Sequence, residues 1–315
     1  MDKTYCHFLW DGITIDNKGN VFSCCHIKPV NMGNIYTSKL SELINTPEII
    51  NYRKESLNGK LECYKTCNLL NKEIKTEIDE NIEIKYQELK NLHLNFGEKC
   101  NISCIMCKHP KSFASNPYIL DSKALIENID ISPFIDILLQ GGEPLYISEC
   151  LEYMNFLGKM NKPYIILTNG LLINDKMANK LSLEAKVISI SINAATAKTH
   201  ERVNRGSEFN QILSNIKKLR YYRELNQTDF IINGRMTLTA LALKEIPIFL
   251  EIFQELGFDK INFGYDKATV PSFLERNPEK KEDIKKQIRK VLESYNPQMI
   301  EKIDLLRLKQ LGLIL

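Results

Sequence analysis

From residue 91 onward two hydrophobic periods take turns along the chain. Short apolar runs at 91–96 (NLHLNF), 135–140 (IDILLQ), 163–168 (PYIILT), 186–192 (KVISISI), 229–238 (DFIINGRMTL) and 260–264 (KINFG) read as strands. Gly141-Gly142 closes the second and Asn169-Gly170 the third. Helix-period segments lie between them, near 121–129, 147–159, 174–183, 208–223 and 243–256. In the fourth, Ile212, Ile216 and Leu219 share one face, and Gly257 closes the fifth as a C-cap. Residues 279–312 read as one or two charged amphipathic helices with no visible chemistry.

Repeated strand-then-helix units predict an α/β fold with a parallel sheet and right-handed crossovers. Six such units, not eight, predict a partial (β/α)6 TIM-like barrel over 91–270, followed by a helical extension over 271–315. Reactive residues are expected where the βα loops gather, at the C-terminal ends of the strands. Residues 1–75 differ in character: they are rich in cysteine and short of apolar residues. A small domain of that kind needs a staple, and a metal site would supply one. The charged stretch 76–90 (TEIDENIEIKYQELK) reads as the linker between the parts.

The chain has 315 residues, enough for one large core and a small appended domain. Its 42 Lys+Arg against 39 Asp+Glu give no case for a nucleic-acid or membrane partner. No apolar run approaches the roughly 18 to 20 residues of a membrane span, and no secretory h-region follows Met1. A cytoplasmic location is therefore expected. There, the nine cysteines read as metal ligands or core residues rather than disulfides. Their grouping favours ligands: Cys6, Cys24, Cys25, Cys63 and Cys67 lie together, then Cys100, Cys104 and Cys107, with Cys150 alone.

Cys100, Cys104 and Cys107 have the spacing C-x3-C-x2-C just after the first barrel strand. Cubane iron–sulfur clusters are usually held by four thiolates. Three ligands leave one iron open to a small molecule that chelates through an amine and a carboxylate. The competing reading is zinc, which usually takes four ligands; His109 is the nearest further donor and is crowded by sequence.

This spacing in this place resembles the radical S-adenosylmethionine (SAM) superfamily. The resemblance implies a catalytic [4Fe–4S] cluster on the three cysteines, with SAM on the open iron. Gly141-Gly142-Glu143-Pro144 is similar to the family's GGE motif, which contacts the methionine amino group. Two glycines allow close backbone approach, and a carboxylate suits an ammonium. Thr168-Asn169-Gly170 is similar to the end of the family's third strand. Ser191, Asn193 and residues 199–206 (THERVNRG) are similar to its fourth-strand motif and the segment after it. By that likeness Ser191 and Arg205 reach the SAM ribose or carboxylate, and Met106 lies against the adenine.

The N-terminal cysteines resemble the SPASM or twitch auxiliary-cluster domain. The matching features are Val21-Phe22-Ser23-Cys24-Cys25, Gly33-Asn34-Ile35, Arg53 and Cys63-x3-Cys67, with Gly19 at a hairpin turn. The resemblance implies a second [4Fe–4S] cluster on Cys6, Cys24, Cys63 and Cys67, with Cys25 spare or replacing Cys24. In the best-known members this domain follows the barrel; here it precedes it. A four-cysteine zinc knuckle is the alternative.

The family likeness implies an enzyme that cleaves SAM reductively to a 5′-deoxyadenosyl radical and takes hydrogen from a substrate. Oxidative modification of a peptide, carbohydrate or small metabolite is expected, with flavodoxin or ferredoxin as electron donor. A redox-neutral epimerase or isomerase, or a non-catalytic iron–sulfur protein, are the alternatives. Cys150 reads as a hydrogen-atom donor in the second case and as a core cysteine otherwise. Arg235, Tyr265 and Asp266 lie at strand ends, where substrate contacts are expected. Trp10 is expected to pack the small domain.

Overall fold

The computed structural model describes residues 4–24, 30–65, 67, 70, 78–108 and 115–314; Cys25 and His109 lie outside the described residues. In chain order the strands are β1 (Gly12–Ile15), β2 (Asn20–Phe22), β3 (Asn31–Asn34), β4 (Asn91–Asn95), β5 (Ser103–Cys104) and β6 (Asp136–Gln140). They continue with β7 (Tyr164–Thr168), β8 (Ala185–Ser191), β9 (Asn204–Arg205), β10 (Ile231–Leu238), β11 (Lys260–Tyr265) and β12 (Ile303–Asp304). The chain divides into two compact units, residues 1–99 with 113–165 and residues 100–112 with 166–315.

In the first unit the strands run in the order β6-β4-β1-β2-β3. β4 and β6 are parallel, with Leu92 beside Ile137 and Leu94 beside Leu139. All four side chains are buried, and the residues between them are half-buried, the alternation expected of a strand. On its other side β4 pairs in parallel with β1, from Gly12↔Asn91 to Ile15↔Leu94. β1 then turns back through β2 to β3 as an antiparallel meander. The cysteine-rich segment thus continues the sheet of the first barrel strand. Gly19 makes the turn between β1 and β2 at φ 79°, and a Cβ there would stand 2.6 Å from the Tyr36 ring. Only glycine meets both demands.

The buried Arg53 holds this unit's loops. Its Nε donates to Leu9 O (2.7 Å), Nη1 to Asn45 Oδ1 and Ile82 O (2.9 Å each), and Nη2 to Ile44 O (3.0 Å). Asn45 also bonds the backbone of Ile84 in both directions. Trp10 is buried, as expected, and its Nε1 donates to Asn81 O. The segment entering β4 is therefore fastened to the small domain at residues 81, 82 and 84. The helix Ser148–Lys159 buries Cys150, Tyr153, Met154 and Leu157, one apolar stripe at helical spacing.

In the second unit the order is β7-β8-β10-β11-β12. β8, β10, β11 and β12 are mutually parallel, with Ile188 beside Ile232 and Met236 beside Phe263. The helix Phe209–Leu225 buries Ile212, Ile216 and Leu219 on the expected face. Asn215 on that face donates to Gly170 O (2.8 Å) and fixes the turn after β7.

The helix expected over 243–256 is shorter than its pattern. A 3-10 turn (Leu243–Glu245) precedes the α-helix Ile246–Ile252. Pro247 has no N–H to donate, so it sits in the first turn, and the chain closes at Gly257 with φ 98°. Residues 279–312 hold the helix Pro278–Glu293, then β12, then Leu306–Gln310. Two-residue β12 is too short to leave a periodic signal. The fold class expected from the sequence holds: α/β, with a parallel sheet whose strands alternate with helices from β6 onward.

Candidate functional site

The three-cysteine loop is built into the second unit by backbone pairing. β5 and β9 are antiparallel, with Ser103 opposite Arg205 and Cys104 opposite Asn204. Ile105 N donates to Val203 O (2.9 Å), and Cys107 N to Cys104 O (3.2 Å). Asn169 Nδ2 donates to Asn101 Oδ1 (2.8 Å). Two segments singled out in the sequence, 168–170 and 204–206, therefore meet the cysteine loop. Cys100, Cys104, Cys107 and Met106 are half-buried and Arg205 is exposed. The Cys104 thiol is pushed up to about 12, first by burial and then by Cys107 and Cys100. Its neighbours' fields thus reach it. Thiols crowded this way resist ionising together until a cation is placed among them.

A carboxylate that the sequence reading did not single out braces this region. The buried Glu245 accepts from Ala195 N (2.9 Å), Thr196 N (3.0 Å), Thr196 Oγ1 and Thr199 Oγ1. It caps the helix Ala197–Val203 from about fifty residues away, and no local motif announces it. Asn193 is buried behind that helix; its Nδ2 donates to Asn204 Oδ1 (2.9 Å), and its Oδ1 accepts from Thr237 N (2.7 Å). Asn193 thereby ties β8 to β9 and β10. Ser191 is half-buried beside Arg235 in the β8–β10 register.

His200 completes the brace. Its Nδ1 faces Asn193 N (3.3 Å) and its Nε2 faces Ser207 Oγ (3.1 Å), so the network assigns the proton to Nε2. Burial pushes its pKa down to about 4. A histidine depressed below its ordinary value of roughly 6.5 stabilises the fold above that pH. Its contribution is lost as pH falls towards 4. Unfolding by urea between pH 7 and 4 should show the wild type losing up to about 3 kcal/mol more than His200→Gln. Parallel curves for the two proteins would contradict this.

Gly141, Gly142 and Glu143 belong to the first unit. Gly142 N donates to Gly97 O (2.7 Å) and Glu143 N to Lys99 O (2.9 Å). A Cβ on Gly142 would stand 2.2 Å from Lys99 O, a backbone atom that cannot swing away. Glu143 is buried, and its Oε1 accepts from Leu145 N (3.1 Å). Gly142→Ala should cost about 3 kcal/mol in a denaturant titration, because overpacking here must move backbone. A loss below roughly 0.5 kcal/mol would mean that the loop yields freely.

The N-terminal cysteines converge in the first unit. Cys6, Cys24, Cys63 and Cys67 line one cavity, walled by Phe8, Leu9, Tyr52 and Leu61. The Cys6 thiol is pushed up to about 12, by burial first and by Cys67 and Cys63 after it. Among the described residues no three His, Cys, Asp or Glu side chains close on a single metal-ion position.

Residues 94–235 match the radical SAM superfamily, and residues 6–68 match SPASM, an iron–sulfur cluster-binding domain. This chain carries a radical SAM domain and a SPASM domain. The radical SAM match contains the three-cysteine loop, and the SPASM match contains all five N-terminal cysteines. A probable GTP 3′,8-cyclase of Saccharolobus islandicus is 27% identical over 183 residues, 55% of this chain and 56% of that protein. An AdoMet-dependent heme synthase of Methanosarcina barkeri is 27% identical over 164 residues, 50% of this chain and 45% of that one. The radical SAM chain thus spans about half the length of the curated relatives it matches. Streptococcus suis SuiB, solved with its precursor peptide SuiA, is 15% identical with a TM-score of 0.46, covering 83% of this chain and 63% of that one.

The two matched domains are ones that take [4Fe–4S] clusters and, for the radical SAM domain, SAM. The residues present fit both groups. Each candidate site is made of cysteine sulfur, the usual donor to iron–sulfur clusters. Opposite Cys104, the buried Asn204 Nδ2 has no hydrogen-bond partner among the described residues. Cys150 is fully buried on its helix, its thiol raised by burial and then by Glu143. Arg235 is lowered by burial and then by Arg307; it lies beside Asn262 in the β10–β11 register. Tyr265 ends β11, and Asp266 accepts from Ala268 N (3.0 Å) in the turn that follows. No described helix is long and apolar enough to cross a membrane.

Proposed function

We propose that this protein is a radical SAM oxidoreductase with two clusters, one on Cys100, Cys104 and Cys107 and one on Cys6, Cys24, Cys63 and Cys67. The observation that carries the reading is the meeting of two sequence-distant segments at the three-cysteine loop. Asn169 bonds Asn101, and Asn204 and Arg205 pair with Cys104 and Ser103. When bound, a reduced cluster with SAM supplies carbon–sulfur homolysis and hydrogen-atom abstraction from substrate.

The chain's own residues hold and orient. Cys100, Cys104 and Cys107 would hold the cluster, and an iron without a protein thiolate would take the SAM amine and carboxylate. By the family resemblance, the buried Glu143 would be the carboxylate suited to that amine, and Gly141 and Gly142 would keep side chains out of the approach. Ser191, Arg205 and Thr168-Asn169 would line the nucleoside side, with Asn193 bracing β8, β9 and β10 behind them, and Met106 would supply apolar surface for the adenine. Arg235 and Tyr265, at strand ends, serve the substrate. Cys6, Cys24, Cys63 and Cys67 would hold the second cluster, which would supply the electron acceptor of a net oxidation. The electron donor is a flavodoxin or ferredoxin.

Anaerobic reconstitution should yield about eight irons per chain, and dithionite with SAM should yield 5′-deoxyadenosine. A protein carrying about four irons and one zinc removes the second cluster. One that makes no 5′-deoxyadenosine removes the enzymatic reading.

A further inference from the structure

Ser23 stands where packing alone would place an apolar residue. It follows Phe22 at the end of β2 and precedes Cys24. Its side chain is 2% exposed. Its Oγ is fully buried and has no hydrogen-bond partner among the described residues. It lines the cavity shared by Cys6, Cys24, Cys63 and Cys67. A buried hydroxyl left unpaired costs about 1–3 kcal/mol, so its retention calls for an acceptor. Water is a poor candidate between the Phe8, Leu9 and Leu61 walls of this cavity. A cluster brings thiolate and sulfide sulfurs into that space.

We infer that the Ser23 hydroxyl donates a hydrogen bond to a sulfur of the cluster in the N-terminal cavity and raises its reduction potential. The inference rests on the assignment of Cys6, Cys24, Cys63 and Cys67 as ligands. Reduction adds negative charge to the cluster. A donor aimed at sulfur is therefore worth more in the reduced state than in the oxidised one. Apolar walls act in the opposite direction, since they disfavour added charge. Ser23 is thus a positioning residue that moves the second cluster towards accepting an electron.

The test uses the full chain with Cys100, Cys104 and Cys107 all changed to Ala, so that only the N-terminal cluster gives an electron paramagnetic resonance signal. Iron is counted first. About four irons per chain support the ligand assignment; no cluster, or zinc, overturns that assignment and the inference with it. The midpoint potential is then read in a redox titration. Ser23→Ala should lower the reduced-to-oxidised ratio about tenfold at fixed potential, ~59 mV for a one-electron couple. The isosteric pair Ser23→Thr and Ser23→Val separates the hydroxyl from packing. Thr should stay with the wild type and Val should shift with Ala. Equal potentials for Thr and Val, with four irons in each, would overturn the inference while leaving the ligands standing.

Discussion

Cys104→Ala should abolish production of 5′-deoxyadenosine from SAM and lower the iron content from about eight to about four per chain. The change is narrow in structural terms. Cys104 sits in β5, whose pairing with β9 uses backbone atoms only, and its side chain is half-buried. Removing one sulfur leaves that pairing intact, so the urea midpoint should move little. Two thiolates would not hold the cubane proposed for three, so the loss of activity should be complete. SAM cleavage by the variant at the wild-type rate, with iron counted alongside, is the result that contradicts the assignment. Because the second cavity lies in the other unit, its irons should remain.

Arg53→Met should destabilise the first unit by at least about 4 kcal/mol, since four acceptors lose a donor at about 1 kcal/mol or more each. Those acceptors are Leu9 O, Ile44 O, Ile82 O and Asn45 Oδ1. Burial holds the guanidinium down to about 10, still charged at neutral pH, although Asp79 and Glu88 pull it back up. At 1% exposure, water cannot stand in for the lost donors. Arg53→Lys should rescue little, because one ammonium cannot spread its hydrogens over that arc of acceptors. Thermal unfolding monitored at Trp10, whose Nε1 bonds Asn81 in the same fastened segment, checks this. An unchanged midpoint would show that the loops are held by packing alone.

Much of this was readable from the chain because it is local. The spacing of Cys100, Cys104 and Cys107, the Gly141-Gly142 turn and the Ile212, Ile216, Leu219 stripe are each short-range patterns with a single geometric meaning. The bond from Asn169 to Asn101 joins residues 68 apart, and Glu245 reaches Thr196 from 49 away. Neither leaves a mark at either end of the contact. The 3-10 turn at Leu243–Glu245 lay hidden inside a helical pattern, because hydrophobic period does not resolve the tighter winding. The partnerless hydroxyl of Ser23 was likewise invisible, since serine beside cysteine is unremarkable until its burial is known.

The parallel ladder between β1 and β4 has a consequence for dissecting the molecule. A cut between the fifteenth and the ninetieth residue, made to isolate either half, leaves both fragments with a bare line of backbone donors and acceptors where Ile13 and Leu92 now lie side by side. Such lines recruit strands from other chains. Truncated forms should be sticky and insoluble, whereas the two pieces produced together should find each other.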